Sequence, residues 1–308
     1  MRKVVDWANL EELPVGLVLD KLEEHIDHVR FAVVCKTWLS VAKLNHQSHQ
    51  FRSNIPPMLM ILSDEGTIPI RPNLRYLYKV TLSADPITSP NDYVVAAIYG
   101  FGRLAFKTAN QPFWIRVDKK EFSFNDVVFY KGLLIADQDG EYIVSFKINN
   151  PPGGHSYDRK FTYYEKIATA YSVPVQNYMG NTFFVKSFND DIWKVRKYAI
   201  DRDRPASYTL DVYKLELDVQ SGKLEQMNKL ESLEDNILFV GIGDSISVPA
   251  SCHSKLEKDS IYFIYDYDMD DLALGVYNMK DGSCQRQSLP ISFKWMQPFW
   301  VLPQFQWD

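Results

Sequence analysis

Residues 126–148, DVVFYKGLLIADQDGEYIVSFKI, contain the pattern that decides the fold of most of this chain. A run of β-branched and aromatic residues leads through an acidic turn into a second such run. The same layout returns in residues 259–283, DSIYFIYDYDMDDLALGVYNMKDGS. Hairpins repeated around an axis form a β-propeller, which leaves only short sheet edges unpaired. The sequence therefore predicts an all-β domain, either a propeller or, as the alternative, an irregular β-sandwich.

Similar runs continue on both sides of this segment. They are rich in Val, Ile, Phe and Tyr and are separated by Gly, Pro, Asn and Asp, which is typical of successive antiparallel hairpins. Helical patterns are nearly absent after Pro57, which excludes a sheet built from βαβ units. The further runs are MLMIL (58–62), LRYLYKV (74–80), YVVAAIY (93–99), RLAF (103–106), PFWIRV (112–117), NTFFVKSF (181–188), DIWKVRKYAI (191–200), YTLDVYKLEL (208–217), NILFVGI (236–242) and SISV (245–248).

The N-terminal residues 7–43, WANLEELPVGLVLDKLEEHIDHVRFAVVCKTWLSVAK, have a different, helical period. Pro14 is suited to the first position of a helix, so the sequence predicts a short turn before it and a regular helix from it. Asp27 is a candidate cap for the helices that follow. The apolar residues after Asp27 are too dense for one thin core. Two interpretations stay open: an ordinary buried helical hairpin, or a helical unit that needs a partner surface.

The predicted organisation is α+β with two domains. Residues 1–50 form a small three-helix domain, residues 51–57 with the double proline Pro56-Pro57 form a linker, and residues 58–308 form the all-β domain. A chain of 308 residues is long enough for such a second core.

Composition excludes several classes of function. A net charge of -5 argues against a large nucleic-acid interface, which needs Lys and Arg to displace counterions from phosphates. No apolar run approaches the roughly twenty residues that cross a bilayer, and the first residues lack the apolar core of a secretory signal. The cysteines, Cys35, Cys252 and Cys284, are far apart and odd in number. We therefore expect no disulfide framework and a reducing compartment, the cytosol or the nucleus.

Two motifs resemble ligand sites without completing them. Gly241 and Gly243 lie beside a strand, but the third glycine of a dinucleotide loop is absent, so a tight strand turn is the better interpretation. Asp266, Asp268 and Asp270 imitate the start of a calcium loop that lacks its glycine and its bidentate glutamate. These three carboxylates are expected at a solvated hairpin tip.

The histidines support no metal or catalytic site. His46 and His49 share a helical face but have no thiolate or carboxylate nearby in the sequence. His155 and His253 have no serine and carboxylate in a known nucleophile context. The sequence therefore predicts no catalytic residue, no cofactor and no metal.

Aromatic residues are numerous in the β region. Most are expected in the cores between sheets, and a few are expected on the loop-bearing face, where loops on a rigid scaffold commonly bind partners. They are Tyr76, Tyr78, Phe101, Trp114, Phe129, Trp193, Tyr213, Phe239, Tyr262, Trp295, Trp300 and Trp307.

The N-terminal unit resembles the F-box, the segment that docks a protein onto the Skp adaptor of SCF-type cullin ubiquitin ligases. The half from Arg30 to Trp38, R-F-x-x-V-C-K-x-W, matches well. The first half departs, with Leu10-Glu11 where the family usually has Leu-Pro, and Pro14 where a leucine is expected. The resemblance implies that the adaptor is bound by Leu10, Pro14, Leu17, Val18, Leu22, Val29, Phe31, Val34, Cys35 and Trp38.

A second resemblance covers nearly all of the remaining chain. The matching segments are similar, in the same order, to those of a domain that follows the F-box in a large plant-specific set of proteins. They are YVVAAIYGFGRLAF, Trp114, FNDVVFYKGLL, VYKLEL, LEDNILFVGIGDSISV, SIYFIYD, GVYNMKDGS and KWMQPFWVLPQFQW. That domain is described as a propeller related to kelch repeats, and the resemblance implies plant origin.

Together, the two resemblances imply a non-catalytic substrate receptor that binds the Skp adaptor, through it a cullin, and an unidentified target protein. The alternative from another class is a small-molecule or sugar-binding β-domain, or a hydrolase, with the helices as a structural cap. A third possibility is a degenerate F-box protein that no longer joins a ligase.

Overall fold

The structure is a computed structural model that describes residues 12–19, 30–47, 57–60, 77–117, 123–149, 163–172, 180–199, 208–241, 243–265, 273–289 and 298–301. The chain divides into two compact units. A helical unit comprises Met1–Met58, Ser251–Lys255 and Leu302–Asp308, and a β unit comprises Leu59–Ala250 and Leu256–Val301.

The helical unit contains α1 (Glu12–Leu19), a helical segment at residues 30–32, and α2 (Lys36–Gln47). Helix α1 begins two residues before Pro14, so the prediction that Pro14 opens the helix was wrong. A proline is tolerated throughout the first helical turn because the N–H groups there have no intrahelical partner. The core of this unit consists of Val15, Leu19, Phe31, Ala32, Trp38, Val41 and Ala42.

The β unit consists of short strands joined mostly by tight turns. The strands are β1 (Met58–Met60), β2 (Leu77–Leu82), β3 (Val94–Tyr99), β4 (Arg103–Thr108), β5 (Ile115–Arg116), β6 (Phe124–Tyr130), β7 (Leu133–Gln138), β8 (Tyr142–Ile148), β9 (Tyr164–Tyr171), β10 (Gly180–Lys186), β11 (Ile192–Ala199), β12 (Tyr208–Leu217), β13 (Leu224–Lys229), β14 (Asn236–Val240), β15 (Ile246–Pro249), β16 (Ser260–Ile264), β17 (Ala273–Asn278), β18 (Cys284–Ser288) and β19 (Phe299–Val301).

Four sheets follow one another along the chain. Blade 1 is β2-β3-β4-β5, blade 2 is β6-β7-β8-β9, blade 3 is β10-β11-β12-β13, and blade 4 is β15-β14-β16-β17-β18. Pairing is antiparallel except between β14 and β16, which are parallel. The innermost strands are β2, β6, β10 and β15. Strand β1, before the first blade, pairs with β19, after the last, in a two-stranded sheet.

A separate apolar core fills each space between consecutive blades. Phe106 of blade 1 and Phe129 of blade 2 belong to one such core. Ile135 of blade 2 and Phe184 of blade 3 belong to a second core, and Val195 of blade 3 and Phe263 of blade 4 belong to a third. Successive strand residues point to opposite faces of a sheet, so blades 2 and 3 supply alternate side chains to two cores.

The propeller prediction is confirmed, with four blades, and the sandwich alternative is wrong. Segment 126–148 contains parts of three strands where the sequence suggested two. Lys131 and Gly132, with φ of 46° and 82°, form a two-residue turn that separates β6 from β7. A Lys-Gly turn lacks the Asn or Asp that usually marks this geometry, so the pattern concealed it.

The three-helix F-box stays a prediction, because much of its sequence lies outside the described residues. None of the helices in the described part of the chain is long and apolar enough to cross a lipid bilayer.

Candidate functional site

The residues predicted to bind an adaptor fall into two groups in the helical unit. Phe31 and Trp38 are buried, and their ring centroids lie 4.5 Å apart. Leu17 is 61% exposed and Val34 is 50% exposed. The first pair holds the unit together, and the second pair presents apolar surface.

The remaining predicted residues are half-buried or lie outside the described part. Val18 and Cys35 pack against the edge of the helical core. Pro14 lies in α1, and nothing is described of its side chain; Leu10, Leu22 and Val29 lie outside the described residues. The prediction omitted Val33, which is 72% exposed, and Leu44, which is 57% exposed. The helical spacing of apolar residues in the sequence predicts that such residues are buried. In the structure, the turn at residues 33–34, before α2, leaves Val33 and Val34 outside the core.

A cavity opens in the β unit at the end of the propeller where the innermost strands begin. Its volume is about 470 Å³. All four blades contribute to its wall, with Tyr78, Lys79 and the β3–β4 turn from blade 1, Ser123–Asp126 from blade 2, Asn181–Phe183 from blade 3, and Gly241 and Gly243 from blade 4.

An ion pair between two blades lies in the wall of this cavity. The ammonium of Lys79 is 2.6 Å from Oδ1 of Asp126, and the two side chains are 7% and 3% exposed. Asp126 Oδ1 also accepts the N–H of Val127 at 2.7 Å, and Oδ2 accepts the N–H of Phe184 at 2.5 Å. One carboxylate therefore joins the innermost strands of blades 1, 2 and 3.

The electrostatics of this pair are set by opposing effects. Burial is the largest effect and raises the pKa of the Asp126 carboxyl, and the Lys79 ammonium and the two N–H donors offset only part of that rise. We favour the ionised pair, because three donors on one carboxylate stabilise its charge. The cavity wall is thus polar and electrically neutral at this point.

The rim of the cavity carries aromatic side chains. Phe101 is 83% exposed and Tyr78 is 43% exposed. Phe101 lies between Gly100 and Gly102, whose φ angles of 60° and 74° are left-handed. A Cβ at Gly102 would lie 2.0 Å from Oγ of Ser123, so only glycine fits there. This turn holds Phe101 out from the sheet.

A second buried ion pair, between blades 2 and 3, is structural. The Lys194 ammonium lies 2.5 Å from Oδ2 of Asp137, and both side chains are fully buried. It also donates to Oγ of Ser172 at 2.8 Å and to the carbonyl of Gly140 at 3.2 Å. Burial lowers the pKa of Lys194, and Asp137 opposes that shift. The sequence carries no local sign of this burial, because the alternation of residues along β11 does not show that both faces of the strand are covered.

The glycines of the incomplete dinucleotide motif have a packing role. A Cβ at Gly241 would meet the ring of Trp300 at 3.4 Å, and one at Gly243 would meet Cβ of Phe299 at 3.1 Å. They let strand β19 approach blade 4 closely. Both glycines lie between β14 and the antiparallel β15, as the strand-turn interpretation predicts.

The remaining ligand candidates give no site in the described part of the chain. Asp266, Asp268 and Asp270 lie outside it, as do His49 and His155. His253 is buried, and burial lowers its pKa. Within the described ranges, no group of three or more His, Cys, Asp or Glu is placed to hold a metal ion.

Comparisons with known proteins identify the family. No curated protein matches the chain. Among solved structures, it is similar to the crystal structure of the Cps50 (Swd1) beta-propeller domain of Myceliophteria thermophila, with 10% sequence identity and a TM-score of 0.30, over 78% of this chain and 65% of that one. The chain thus spans just under two thirds of that structure. The family described as KIB1-4 beta-propeller matches residues 18–278, well over half of the 308 residues. The chain belongs to the KIB1-4 beta-propeller family.

Proposed function

We propose that this protein is the substrate-recognition subunit of an SCF-type ubiquitin ligase. Its N-terminal helices dock the Skp adaptor, which connects it to a cullin, and its propeller binds a target protein. The protein acts in the cytosol or the nucleus. The chain itself supplies no reacting group: it raises the effective concentration of a target lysine near the ubiquitin-charged enzyme.

The observation that carries this proposal is the exposed apolar surface of the helical unit. At least half of the surface of each of three apolar residues is exposed: Leu17 is 61% exposed, Val33 72% and Val34 50%. Two of the three belong to the set that the F-box resemblance assigns to the adaptor. Burying such side chains on a partner contributes about 1.5 to 3 kcal/mol for each that becomes fully enclosed.

The propeller supports the receptor part of the proposal. Its sheets form a rigid scaffold, and its turns carry exposed side chains such as Phe101 at 83% and Ile87 at 70%. Exposed loops on such a scaffold are the usual place for partner recognition. Protein binding is therefore compatible with this fold.

The direct test is co-purification of the full-length chain with the Skp adaptor. Trp38→Ala is a poor probe of adaptor binding, because Trp38 packs in the helical core. Its removal should destabilise the helical unit, so lost binding could not be assigned to a lost adaptor contact. Val34→Asp and Leu17→Asp place a charge on the exposed surface and leave that core intact. We expect each to reduce adaptor recovery by at least about tenfold, since a charge buried without a partner is costly.

Ile87→Asp, a matched change at a 70% exposed residue of the propeller, is the control and should leave recovery unchanged. Wild-type recovery by both helical variants, with their circular dichroism unchanged, would contradict the adaptor role. Failure of the wild-type chain to bind any adaptor would favour the degenerate F-box interpretation. The small-ligand alternative has one observation in its favour, the propeller cavity, which is compatible with either function.

A further inference from the structure

We propose that the cavity at the start of the innermost strands is the target-recognition site, and that it binds an uncharged peptide segment through a backbone or side-chain amide. The inference rests on the proposed receptor function and names the chemistry that the receptor selects. An amide oxygen accepts from Lys79, an amide N–H donates to Asn125, and a neighbouring apolar side chain packs on Phe101 and Tyr78.

Lys79 supplies hydrogen-bond donors inside the cavity. Its side chain is 7% exposed and its ammonium carries three protons, of which the Asp126 carboxylate takes one. Among the residues that the structure describes, no other acceptor is bonded to this ammonium. A buried ammonium with unused protons costs free energy, and a ligand oxygen removes that cost.

Asn125 supplies the complementary acceptor. Its Nδ2 donates to Oδ1 of Asp137 at 3.1 Å, which fixes the amide orientation and leaves its carbonyl oxygen as the acceptor. A donor and an acceptor in the wall of one cavity match the two halves of a peptide group. A hydrophobic ligand without these groups would leave both unpaired.

Charge balance selects an uncharged ligand. Lys79 and Asp126 already neutralise each other, and Asp126 has two further N–H donors. A carboxylate added to the cavity would place an uncompensated negative charge beside a buried ion pair, and an ammonium would repel Lys79. A neutral amide meets neither penalty.

The aromatic rim explains how affinity arises. The ring of Phe101 is 83% exposed, and a phenyl side chain has only two rotatable bonds, so a partner that covers it orders less side-chain freedom than it would on a longer side chain. Aromatic residues around a desolvated pocket are typical of interaction hot spots. The volume of about 470 Å³ falls in the range of about 300–1,000 Å³ for ligand pockets.

The test uses the full-length chain and three small probes that differ in charge. N-acetyl-tryptophanamide is uncharged and has two amide groups, N-acetyl-tryptophan carries a carboxylate, and tryptophanamide carries an ammonium. Saturation-transfer NMR at low-millimolar probe reports binding without any adaptor present. We expect the uncharged probe to bind best. The change Phe101→Ala should lower the affinity for this probe about tenfold.

The matched control is Phe188→Ala. Phe188 is 45% exposed and follows the far end of β10, whose other end lines the cavity, so its removal should leave binding unchanged. Asn125→Leu removes the acceptor and also the hydrogen bond to Asp137, and it leaves the Lys79–Asp126 ion pair in place. It should also weaken binding of the uncharged probe.

Equal binding by the Phe101→Ala protein, preference for the charged probes, or no binding of any probe would each overturn the proposal. Adaptor co-purification is measured separately. Failure of the probes to bind the cavity can therefore be distinguished from failure of the chain to bind the adaptor.

Discussion

The ammonium of Lys79 lies 2.6 Å from Oδ1 of Asp126, across the boundary between blades 1 and 2. The same carboxylate accepts the N–H of Phe184 on the first strand of blade 3 at 2.5 Å. A single side chain thus fixes three innermost strands relative to one another. The cavity lies at this junction, so the arrangement that stabilises the propeller also shapes the candidate recognition site.

Asp126→Asn should destabilise the β unit strongly. The change is nearly isosteric, but it leaves the Lys79 ammonium buried without its counter-charge, which typically costs about 3 to 5 kcal/mol. Urea unfolding followed by tryptophan fluorescence measures the loss. Asp92→Asn, at an exposed turn residue, is the matched control and should unfold like the wild type. Equal stability of the two variants would show that the pair is not required.

The Lys194–Asp137 pair should show strong non-additivity. Lys194→Met and Asp137→Asn each leave one buried partner behind, whereas the double variant removes both charges. We therefore expect the double variant to be less destabilised than the sum of the single variants, with a coupling of about 0.5 to 3 kcal/mol. A double-mutant cycle by urea unfolding gives this coupling directly.

The partly exposed Lys214–Asp191 pair, at 2.8 Å, is the matched cycle. Its coupling should be about 0 to 1 kcal/mol, because water screens it. Equal coupling in the two cycles would contradict the role assigned to burial.

Much of the fold could be predicted from the sequence because strands such as β14 (Asn236–Val240) are compact apolar runs between turn residues. The outer strands β9, β13 and β18 were missed. None of their residues is fully buried, and at least half of each strand is exposed, so they lack a long apolar run. Their place comes from pairing with an inner neighbour, which is a property of the folded sheet.

The candidate cavity could not be predicted for a different reason. Tyr78 and Phe101 were recognised as aromatics of the propeller region, but Lys79, Asn125 and Asp126 carry no local motif. They come together because residues far apart in sequence lie on first strands of neighbouring blades. The signal available in the sequence was a phenylalanine between two glycines, Gly100-Phe101-Gly102, which is unusual for a core residue.

Tyr198 should make stability depend on alkaline pH. Burial, together with the nearby Asp211 carboxylate that accepts its hydroxyl at 3.0 Å, raises the pKa of Tyr198 from 10.0 to about 12. Between these values the unfolded chain loses the proton and the folded chain keeps it, so the stabilisation is complete below pH 10 and is lost as pH rises towards 12.

The measurement is the urea midpoint of the wild type and of Tyr198→Phe, from about pH 8 to pH 11.5, a range that spans the ordinary tyrosine pKa. The wild type should be more stable at the lower end, and the difference should shrink above the ordinary pKa. A difference that stays constant over the whole range would contradict this linkage.

Trp300 should anchor the C-terminal strand of the β unit. It is 5% exposed, its Nε1–H donates to the carbonyl of Val240 at 3.1 Å, and its ring lies 4.9 Å from that of Phe239. Trp300→Ala removes this packing and should cost about 3 to 5 kcal/mol. Trp300→Phe keeps most of the apolar volume and loses the hydrogen bond, which should cost about 1 to 3 kcal/mol.

Trp114, which is 49% exposed, provides the comparison for the same change. Trp114→Ala removes a similar side chain from a half-exposed site, so its effect on unfolding should be well below that of Trp300→Ala. Thermal and urea unfolding of the three variants test the order. If Trp300→Ala and Trp114→Ala destabilise the protein equally, strand β19 does not hold blade 4, and the close approach permitted by Gly241 and Gly243 contributes little to stability.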